Sequence, residues 1–166
     1  MTQSTEQAVI WLSPGAFEKL TAELEDKKGP QRAQIVAEIS AARDEGDLKE
    51  NGGYHAAREA HGRLEGEITA LEQVLLKAVT DLAADDGIVT PGKVVTYKFE
   101  GDDDDEAETR LFAAIEMKQF IDMDVFSAAS PIGAALVGAR AGDTVEFEGP
   151  RGTLKVEVLK VVPYED

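Results

Sequence analysis

Side chains suited to a buried seam recur along the middle of the chain at the spacing of a helix that packs on one partner helix. The residues at alternating intervals of three and four are Tyr54, Ala57, His61, Leu64, Ile68, Leu71 and Leu75. Such an a/d pattern, kept over about three heptads, is typical of a coiled coil. The sequence therefore predicts a long helix from about 51 to 76 with one face buried against a second helix.

The partner for this helix precedes it in the chain. Further apolar residues follow helical spacing there: Phe17, Leu20, Leu24, Ile35, Ile39 and Ala42. Ser13 before Pro14 is a favourable helix start, because proline is tolerated in the first turn. Gly29-Pro30 predicts a kink or a break, since proline lacks the backbone N–H. The short segment around Gly46 requires the helices to fold back antiparallel, which predicts a coiled-coil hairpin over residues 1–80.

The second half of the chain consists of short runs in which apolar and polar residues alternate. Residues 81–91 are rich in Asp, Gly and Pro, which predicts a linker. The runs that predict strands are 92–99, 109–116, 124–128, 143–148 and 153–162. SPIGAALVG predicts one short helix, and the acidic run Asp102–Asp105 predicts a solvated hairpin loop. Residues 92–166 are expected to form a small domain on an antiparallel sheet, so the fold class is α+β with two domains.

The charge and composition of the chain exclude several functional classes. The formal net charge is −16, whereas free nucleic acid is bound largely through Lys and Arg. This argues against nucleic-acid binding outside a larger complex. No cysteine is available for disulfides or thiolate metal sites. The N-terminal residues lack the features of a signal peptide, and no run approaches the ~20 apolar residues of a membrane span. We therefore expect a cytoplasmic protein.

Acidic residues crowd the predicted bend of the hairpin, residues 44–50. Asp44, Glu45, Asp47 and Glu50 have only Lys49 among them. One interpretation is structural, because Asp47 and Glu50 have the spacing of a capping box at the start of the second helix. The other is half of a Mg²⁺ site, because exposed carboxylates suit Mg²⁺ but need further ligands from a partner. The spacing alone leaves both interpretations open.

A longer stretch around the bend, EGDLKENGGYHAARE, resembles the signature of the Gre family of bacterial transcription elongation (transcript-cleavage) factors, of the GreA type. SPIGAALVG, followed by Gly-Asp and two strands, resembles the same family. The resemblance runs from about Trp11 to Tyr164 and departs locally at Gly52-Gly53. It implies a long antiparallel coiled-coil hairpin followed by an FKBP-like domain.

The resemblance also implies a function, as a cofactor of bacterial RNA polymerase that is not itself an enzyme. Gre factors insert the hairpin into the secondary channel, where acidic residues at the tip help to hold a second Mg²⁺ and a water. The polymerase then cleaves the 3′ end of a backtracked RNA, which rescues arrested complexes. By position, Asp47 and Glu50 match the acidic pair. The Mg²⁺ would be shared with the polymerase active centre and not held stably by this chain alone.

Other residues near the bend are placed for contacts with RNA or the polymerase; Arg58 matches the family motif, whereas Arg43 and Lys49 flank the bend. Arg43, Lys49 and Arg58 are candidates for such contacts, although long basic side chains on a helix are often only solvated. Tyr54 lies on the seam, where we expect it to pack. Nascent RNA and DNA would be met only within the elongation complex, and we expect a monomer in isolation.

In the second domain, the resemblance implies a surface that docks on the rim of the polymerase channel. The matching segment runs from Ser127 to Gly138, with Ser130, Pro131 and Ile132 as candidates for the docking loop. The alternative is that these residues form only a helix cap and part of the core.

Three other functions share parts of this pattern. A channel-binding inhibitor of RNA polymerase would have the same fold without stimulating cleavage, but the intact Asp47 and Glu50 argue against it. A coiled-coil adaptor would make no demand on these carboxylates. A peptidyl-prolyl isomerase would need an aromatic pocket, which the dispersed aromatic residues of the second domain do not predict.

Overall fold

A computed structural model describes residues 10–46, 50–81 and 83–166 of the chain. These residues form two compact units, which are described in turn. One unit is Phe17–Lys77, and the other joins the residues up to Ala16 with Ala78–Asp166. The first is helical and the second contains a sheet, so the predicted α+β class is confirmed.

The helical hairpin is built from α1 (Pro14–Asp26), α2 (Arg32–Asp44) and α3 (Gly52–Lys77). The hydroxyl of Ser13 accepts a hydrogen bond from the backbone N–H of Ala16 at 3.2 Å. This confirms that the first helix begins at Ser13-Pro14. The bounds of α3 lie within one residue of the predicted helix.

A single π-helical turn, Lys27–Gln31, joins α1 to α2 and contains Pro30. Proline cannot donate a backbone hydrogen bond, and a locally widened turn can accommodate this loss. The backbone N–H of Arg32 bonds to the carbonyls of Lys27 and Gly29, so the helical path continues. Gly29-Pro30 therefore changes the type of turn without ending the first arm of the hairpin.

The two arms bury a narrow apolar seam and carry ion pairs along its edges. Six of the apolar residues predicted from helical spacing are buried: Leu20, Ala42, Tyr54, Ala57, Leu64 and Ile68. The ion pairs between the arms are Lys27–Glu67 at 3.0 Å, Lys28–Glu72 at 3.3 Å and Arg32–Glu65 at 2.8 Å. Exposed ion pairs contribute little individually, so the buried apolar residues supply most of the stability.

Two short strands, β1 (Ile10–Trp11) and β2 (Ala78–Val79), pair in parallel within the second unit. Trp11 is buried there, and its ring meets that of Tyr164 edge-on at 6.1 Å. Gly92, at φ +94°, lies against the same ring, because a Cβ at this position would be 2.8 Å from Trp11 Cε2. Trp11 is therefore a core residue of the second unit.

A five-stranded sheet forms the body of the second unit, in the order β5-β4-β3-β7-β6. Its strands are β3 (Lys93–Phe99), β4 (Glu108–Phe112), β5 (Val125–Phe126), β6 (Thr144–Gly149) and β7 (Gly152–Pro163). Each predicted strand corresponds to one of these five, but the strand predicted at 109–116 ends at Phe112 and a 3-10 helix, Ile115–Gln119, follows it. The pairs are antiparallel except β4 with β5, which is parallel. The sheet is thus antiparallel, as predicted, except for the parallel pair at one edge.

A short helix, α4 (Pro131–Leu136), begins where the sequence predicts it. Ser130 caps it by accepting a hydrogen bond from the backbone N–H of Gly133 at 3.1 Å. The apolar core of the unit consists of Val89, Val95, Tyr97, Phe112, Phe126, Leu136, Ala139, Val156, Val158 and Val161. The helix contributes Leu136 to this core.

The acidic segment between β3 and β4 is the hairpin loop that the sequence predicts. It contains a single 3-10 turn, Asp104–Glu106, with Asp103 as its N-cap in a capping box. Lys98 pairs with Asp104 at 2.8 Å. Part of the acidic charge is thus neutralised locally.

Residues 81–91, which the composition predicts as a linker, are largely fixed within the second unit. Val89 is fully buried, and its backbone N–H donates to the carbonyl of Ala139 at 2.8 Å. Lys93, whose side chain is 1% exposed, places Nζ 2.6 Å from a carboxylate oxygen of Asp86. Contacts between residues distant in sequence hold a segment whose composition resembles that of a linker.

The predicted domain boundaries of 1–80, 81–91 and 92–166 therefore differ from the compact units of the structure. The hairpin unit is shorter, Phe17–Lys77, because both of its flanking segments pack with the sheet. Within the described residues, no helix is both long enough and apolar enough to cross a membrane.

Candidate functional site at the hairpin bend

The first arm of the hairpin ends in an ordinary helix terminus that leaves its acidic residues exposed. Glu45 is the C-cap of α2, and Gly46 follows at φ +116°, a conformation that favours glycine. The side chains of Asp44 and Glu45 point into solvent. Asp47 and Lys49, both predicted site residues, lie outside the described residues.

The second arm begins differently from the predicted capping box. Helix α3 starts at Gly52, and its cap is Asn51, whose Oδ1 accepts a hydrogen bond from the backbone N–H of Tyr54 at 3.0 Å. Glu50 therefore precedes the cap and does not occupy the third helical position. The interpretation of Asp47 and Glu50 as a capping box of this helix is corrected, because the local sequence offers Asn51, a strongly preferred N-cap residue.

The carboxylate of Glu50 is exposed at the bend. No other described residue donates a hydrogen bond to it or forms an ion pair with it. Carboxylate oxygens are the ligands that Mg²⁺ prefers, and Mg²⁺ in proteins commonly takes one or two carboxylates together with water and phosphate. The donor chemistry of Glu50 therefore fits this ion. Across residues 10–46, 50–81 and 83–166, no three His, Cys, Asp or Glu side chains are grouped as a metal site.

Asn51 also connects the two arms, which sequence reasoning missed. Its Nδ2 donates to the backbone carbonyl of Ala42, near the end of α2, at 2.6 Å. The same side chain thus bonds to the last turn of one helix and the first turn of the next. Its position directly before the helix is the signal that could have identified it as a cap, but the bond to Ala42 depends on the folded hairpin.

Tyr54 lies on the seam next to the bend, where the sequence predicts packing. It is 8% exposed, which confirms that prediction. The guanidinium carbons of Arg43 and Arg58 lie 5.8 and 5.9 Å from the centre of its ring. Arg43, and to a lesser extent Arg58, holds the pKa of the phenol below its ordinary value. The ring thus brings two cationic groups from opposite arms to the same place beside the bend.

The predicted docking residues of the second unit have structural roles of their own. Ser130 caps α4 and also donates its hydroxyl to the carbonyl of Ser127 at 2.8 Å. Ile132 is half-buried against the core, whereas Pro131 is exposed. Gly133 leaves no room for a larger residue, because an added Cβ would meet the backbone oxygen of Ser127 at 1.9 Å.

An aromatic groove adjoins these residues, and sequence reasoning did not predict it. Its volume is about 250 Å³, and the lining side chains are Tyr97, Phe99, Glu108, Arg110, Pro131, Ile132, Phe147, Glu148 and Pro150, with Gly149. Glu108 accepts a hydrogen bond from the Tyr97 hydroxyl at 2.9 Å and one from Arg110 at 2.8 Å. The strands bring together residues that are dispersed in the sequence, so an apolar surface with a charged end lies beside Pro131 and Ile132.

Two family models match the chain. Residues 10–79 match the family model for the N-terminal part of transcription elongation factors GreA and GreB. Residues 84–163 match the model for the C-terminal part of the same factors.

Curated relatives match almost the whole chain. Transcription elongation factor GreA of Streptomyces coelicolor is 46% identical over 166 residues, covering 99% of each chain. The factors of the same name from Streptomyces avermitilis and Saccharopolyspora erythraea are each 45% identical, the first over 99% of each chain and the second over 96% of this chain and 98% of its own.

Solved structures with lower identity also match. GreA factor homolog 1 (Gfh1) of Thermus thermophilus has a TM-score of 0.42 at 23% identity, covering 93% of this chain and 99% of its own. The GreA/GreB elongation factor of Nitrosomonas europaea has a TM-score of 0.38 at 20% identity, covering 94% and 99% respectively. From the two family models and the near full-length relatives, the chain belongs to the GreA/GreB family of transcription elongation factors and is of the GreA type.

Proposed function

We propose that this factor binds bacterial RNA polymerase in the cytoplasm, inserts its hairpin into the secondary channel and stimulates the polymerase to cleave the 3′ end of backtracked RNA. The observation that carries the proposal is the state of Glu50. Its carboxylate is exposed at the bend, and the helix that follows is capped by another residue. A carboxylate that no other described residue pairs with is available to a metal ion held by a partner.

The length of the hairpin supports this mode of action. Helix α3 has 26 residues and so extends roughly 40 Å at about 1.5 Å per residue. The arms bury apolar side chains such as Leu64 and Ile68 against each other, and the exposed carboxylates lie at the bend, which is the part able to act inside a narrow channel. The chain itself is not the enzyme in this proposal, because the polymerase supplies the catalytic centre.

Glu50 and Asp47 would hold the second Mg²⁺ together with ligands from the polymerase and the RNA. When bound there, this ion supplies a Lewis acid and a water of lowered pKa for hydrolysis of the phosphodiester. The contribution of the chain is to bring carboxylate oxygens to that place and to orient the water by accepting its hydrogen bonds.

Arg43 and Arg58 would bind the phosphates of the backtracked RNA, and Lys49 would add a third positive charge. Guanidinium groups are suited to this task because they donate two parallel hydrogen bonds to phosphate oxygens. Both guanidinium groups lie within about 6 Å of the centre of the Tyr54 ring, which attracts cations and keeps them close to the bend. RNA binding would therefore occur next to the metal ligands.

Docking of the second unit on the polymerase would use the surface around α4. Pro131 is exposed, and it lines the aromatic groove together with Ile132. Ser130 would support this surface by holding the helix and the preceding loop in place. The groove supplies apolar contact area, and its charged end supplies polar contacts with the partner.

The proposal is tested by RNA cleavage in a stalled bacterial polymerase complex, with binding of the factor measured in parallel. We compare the wild type with Glu50→Gln and with the Asp47→Asn/Glu50→Gln pair. The pair is expected to lose about a hundredfold in stimulated cleavage, a loss of the size seen when metal sites are disturbed. Binding to the polymerase and thermal stability should persist.

Glu45→Gln is the matched control, because it removes one exposed carboxylate of the same bend. It should cleave like the wild type. Equal cleavage by all the variants would refute the metal role of the bend. Suppression of cleavage by the wild-type factor would identify it instead as a channel-binding inhibitor.

A further inference from the structure

The side chain of Asn51 forms one hydrogen bond with each arm of the hairpin. Its Nδ2 donates to the carbonyl of Ala42 at 2.6 Å, and its Oδ1 accepts from the N–H of Tyr54 at 3.0 Å. An asparagine amide can donate and accept in opposite directions, so both ends of this group are used. We propose that Asn51 is a positioning residue that fixes Glu50 for metal binding by clamping α2 to α3.

The bond to Ala42 is directed at a carbonyl that helps to end α2. The backbone N–H of Glu45 reaches the same oxygen at 3.3 Å, and that of Gly46 reaches the carbonyl of Arg43 at 3.3 Å. The last carbonyls of a helix have no partner in the next turn, which leaves them available to such donors. The clamp therefore holds the last turn of α2, from which the bend begins.

Glu50 is adjacent to the clamp in the chain, while its own side chain is exposed. A fixed neighbour limits the directions in which the Glu50 carboxylate can extend. This lowers the conformational entropy that would be lost when the carboxylate binds a metal ion held by a partner. Asn51 thus acts through Glu50 and does not itself contact the reacting atoms.

A cap alone would not require asparagine. Serine at the same position can also accept from the N–H of Tyr54, because Ser and Asn are both preferred N-cap residues. Serine has no amide donor for the carbonyl of Ala42. Asn51→Ser therefore retains the cap and removes the clamp, whereas Asn51→Ala removes both.

The inference rests on the proposed function, so the first measurement is cleavage as a function of Mg²⁺ concentration. With Asn51→Ser, half-maximal cleavage should need about tenfold more Mg²⁺, within the range that small misplacements of catalytic groups produce. Saturating Mg²⁺ should restore the wild-type rate, and binding to the polymerase and Tm should remain close to the wild-type values. A structural role alone would lower Tm without changing the Mg²⁺ requirement.

A second measurement does not depend on cleavage. The NMR order parameter of the Glu50 amide in the free factor should fall in Asn51→Ser, whereas that of the Tyr54 amide should be retained. If Asn51→Ser matches the wild type in both measurements and only Asn51→Ala differs, the residue is a cap and the clamp is refuted. If the wild-type factor fails to stimulate cleavage, the proposed function fails, while the order parameters still decide whether the clamp exists.

Discussion

The bend of the hairpin and the loop that begins α4 both carry residues expected to meet the polymerase, but they differ in what else those residues do. Glu50 is exposed, and no other described residue forms a hydrogen bond or an ion pair with its carboxylate. The Ser130 hydroxyl donates a hydrogen bond to the carbonyl of Ser127 and accepts one from the N–H of Gly133, and Gly133 packs against the backbone of Ser127. Glu50 can therefore be substituted without changing the fold, whereas Ser130 and Gly133 cannot.

This difference decides how mutations at the two places should be interpreted. A loss of activity at Glu50 can be attributed to chemistry, because stability is not expected to change. A loss at the α4 loop can arise from docking or from unfolding, so both quantities must be measured. The following substitutions test the comparison through the stability of each region.

The largest effect is expected for Gly133→Ala. The added Cβ would lie 1.9 Å from the backbone oxygen of Ser127, so the loop and the helix must separate. Forced expansion of a packed site costs up to about 3 kcal/mol, and we expect a value near this limit. Fluorescence of Trp11, the sole tryptophan of the chain, would report unfolding of the second unit. An unchanged midpoint of unfolding would show that the α4 loop tolerates substitution as well as Glu50 does.

Ser130→Ala should have a smaller effect in the same direction. It removes the cap at the N–H of Gly133 and the donor to the carbonyl of Ser127. Loss of an N-cap typically costs about 1 kcal/mol. Ser130→Thr is the matched control because it keeps the hydroxyl. Chemical denaturation would compare them, and equal stability of Ser130→Ala and the wild type would assign Ser130 to docking alone.

The difference between contacts formed by neighbours in the sequence and contacts formed by distant residues explains which features the sequence could predict. The heptad pattern predicts the bounds of α3 closely. Both the helix and the spacing of its apolar residues, such as Leu64 and Ile68, depend on residues that are close together in the sequence. The start at Ser13-Pro14 is equally local. The resemblance of the bend to the Gre signature also depends only on consecutive residues.

Features that depend on contacts across the chain were not predictable in this way. Val89 and Asp86 lie in a segment of linker-like composition, and their contacts are with residues far along the sequence or in a following strand. Trp11 is adjacent to the hairpin in sequence but packs against Tyr164. The clamp at Asn51 likewise exists only when the folded hairpin brings Ala42 to it. The spacing of Asp47 and Glu50 predicts a capping box, but it contains no information about Asn51, which caps the helix instead.

The smallest effect, of opposite sign, is expected for Gly66→Ala in the middle of α3. A Cβ at this exposed position would meet nothing within 4 Å outside the helix itself. Alanine in a helix interior is more favourable than glycine by about 0.5–1 kcal/mol, so the hairpin should become more stable. Thermal unfolding followed by helical circular dichroism would measure the gain, with Gly62→Ala as a second site in equally open surroundings. Stimulated cleavage should not change, because the chemistry depends on the bend. If cleavage fell while stability rose, the arms of the hairpin would need to flex during function, and the bend could no longer be treated as an independent site.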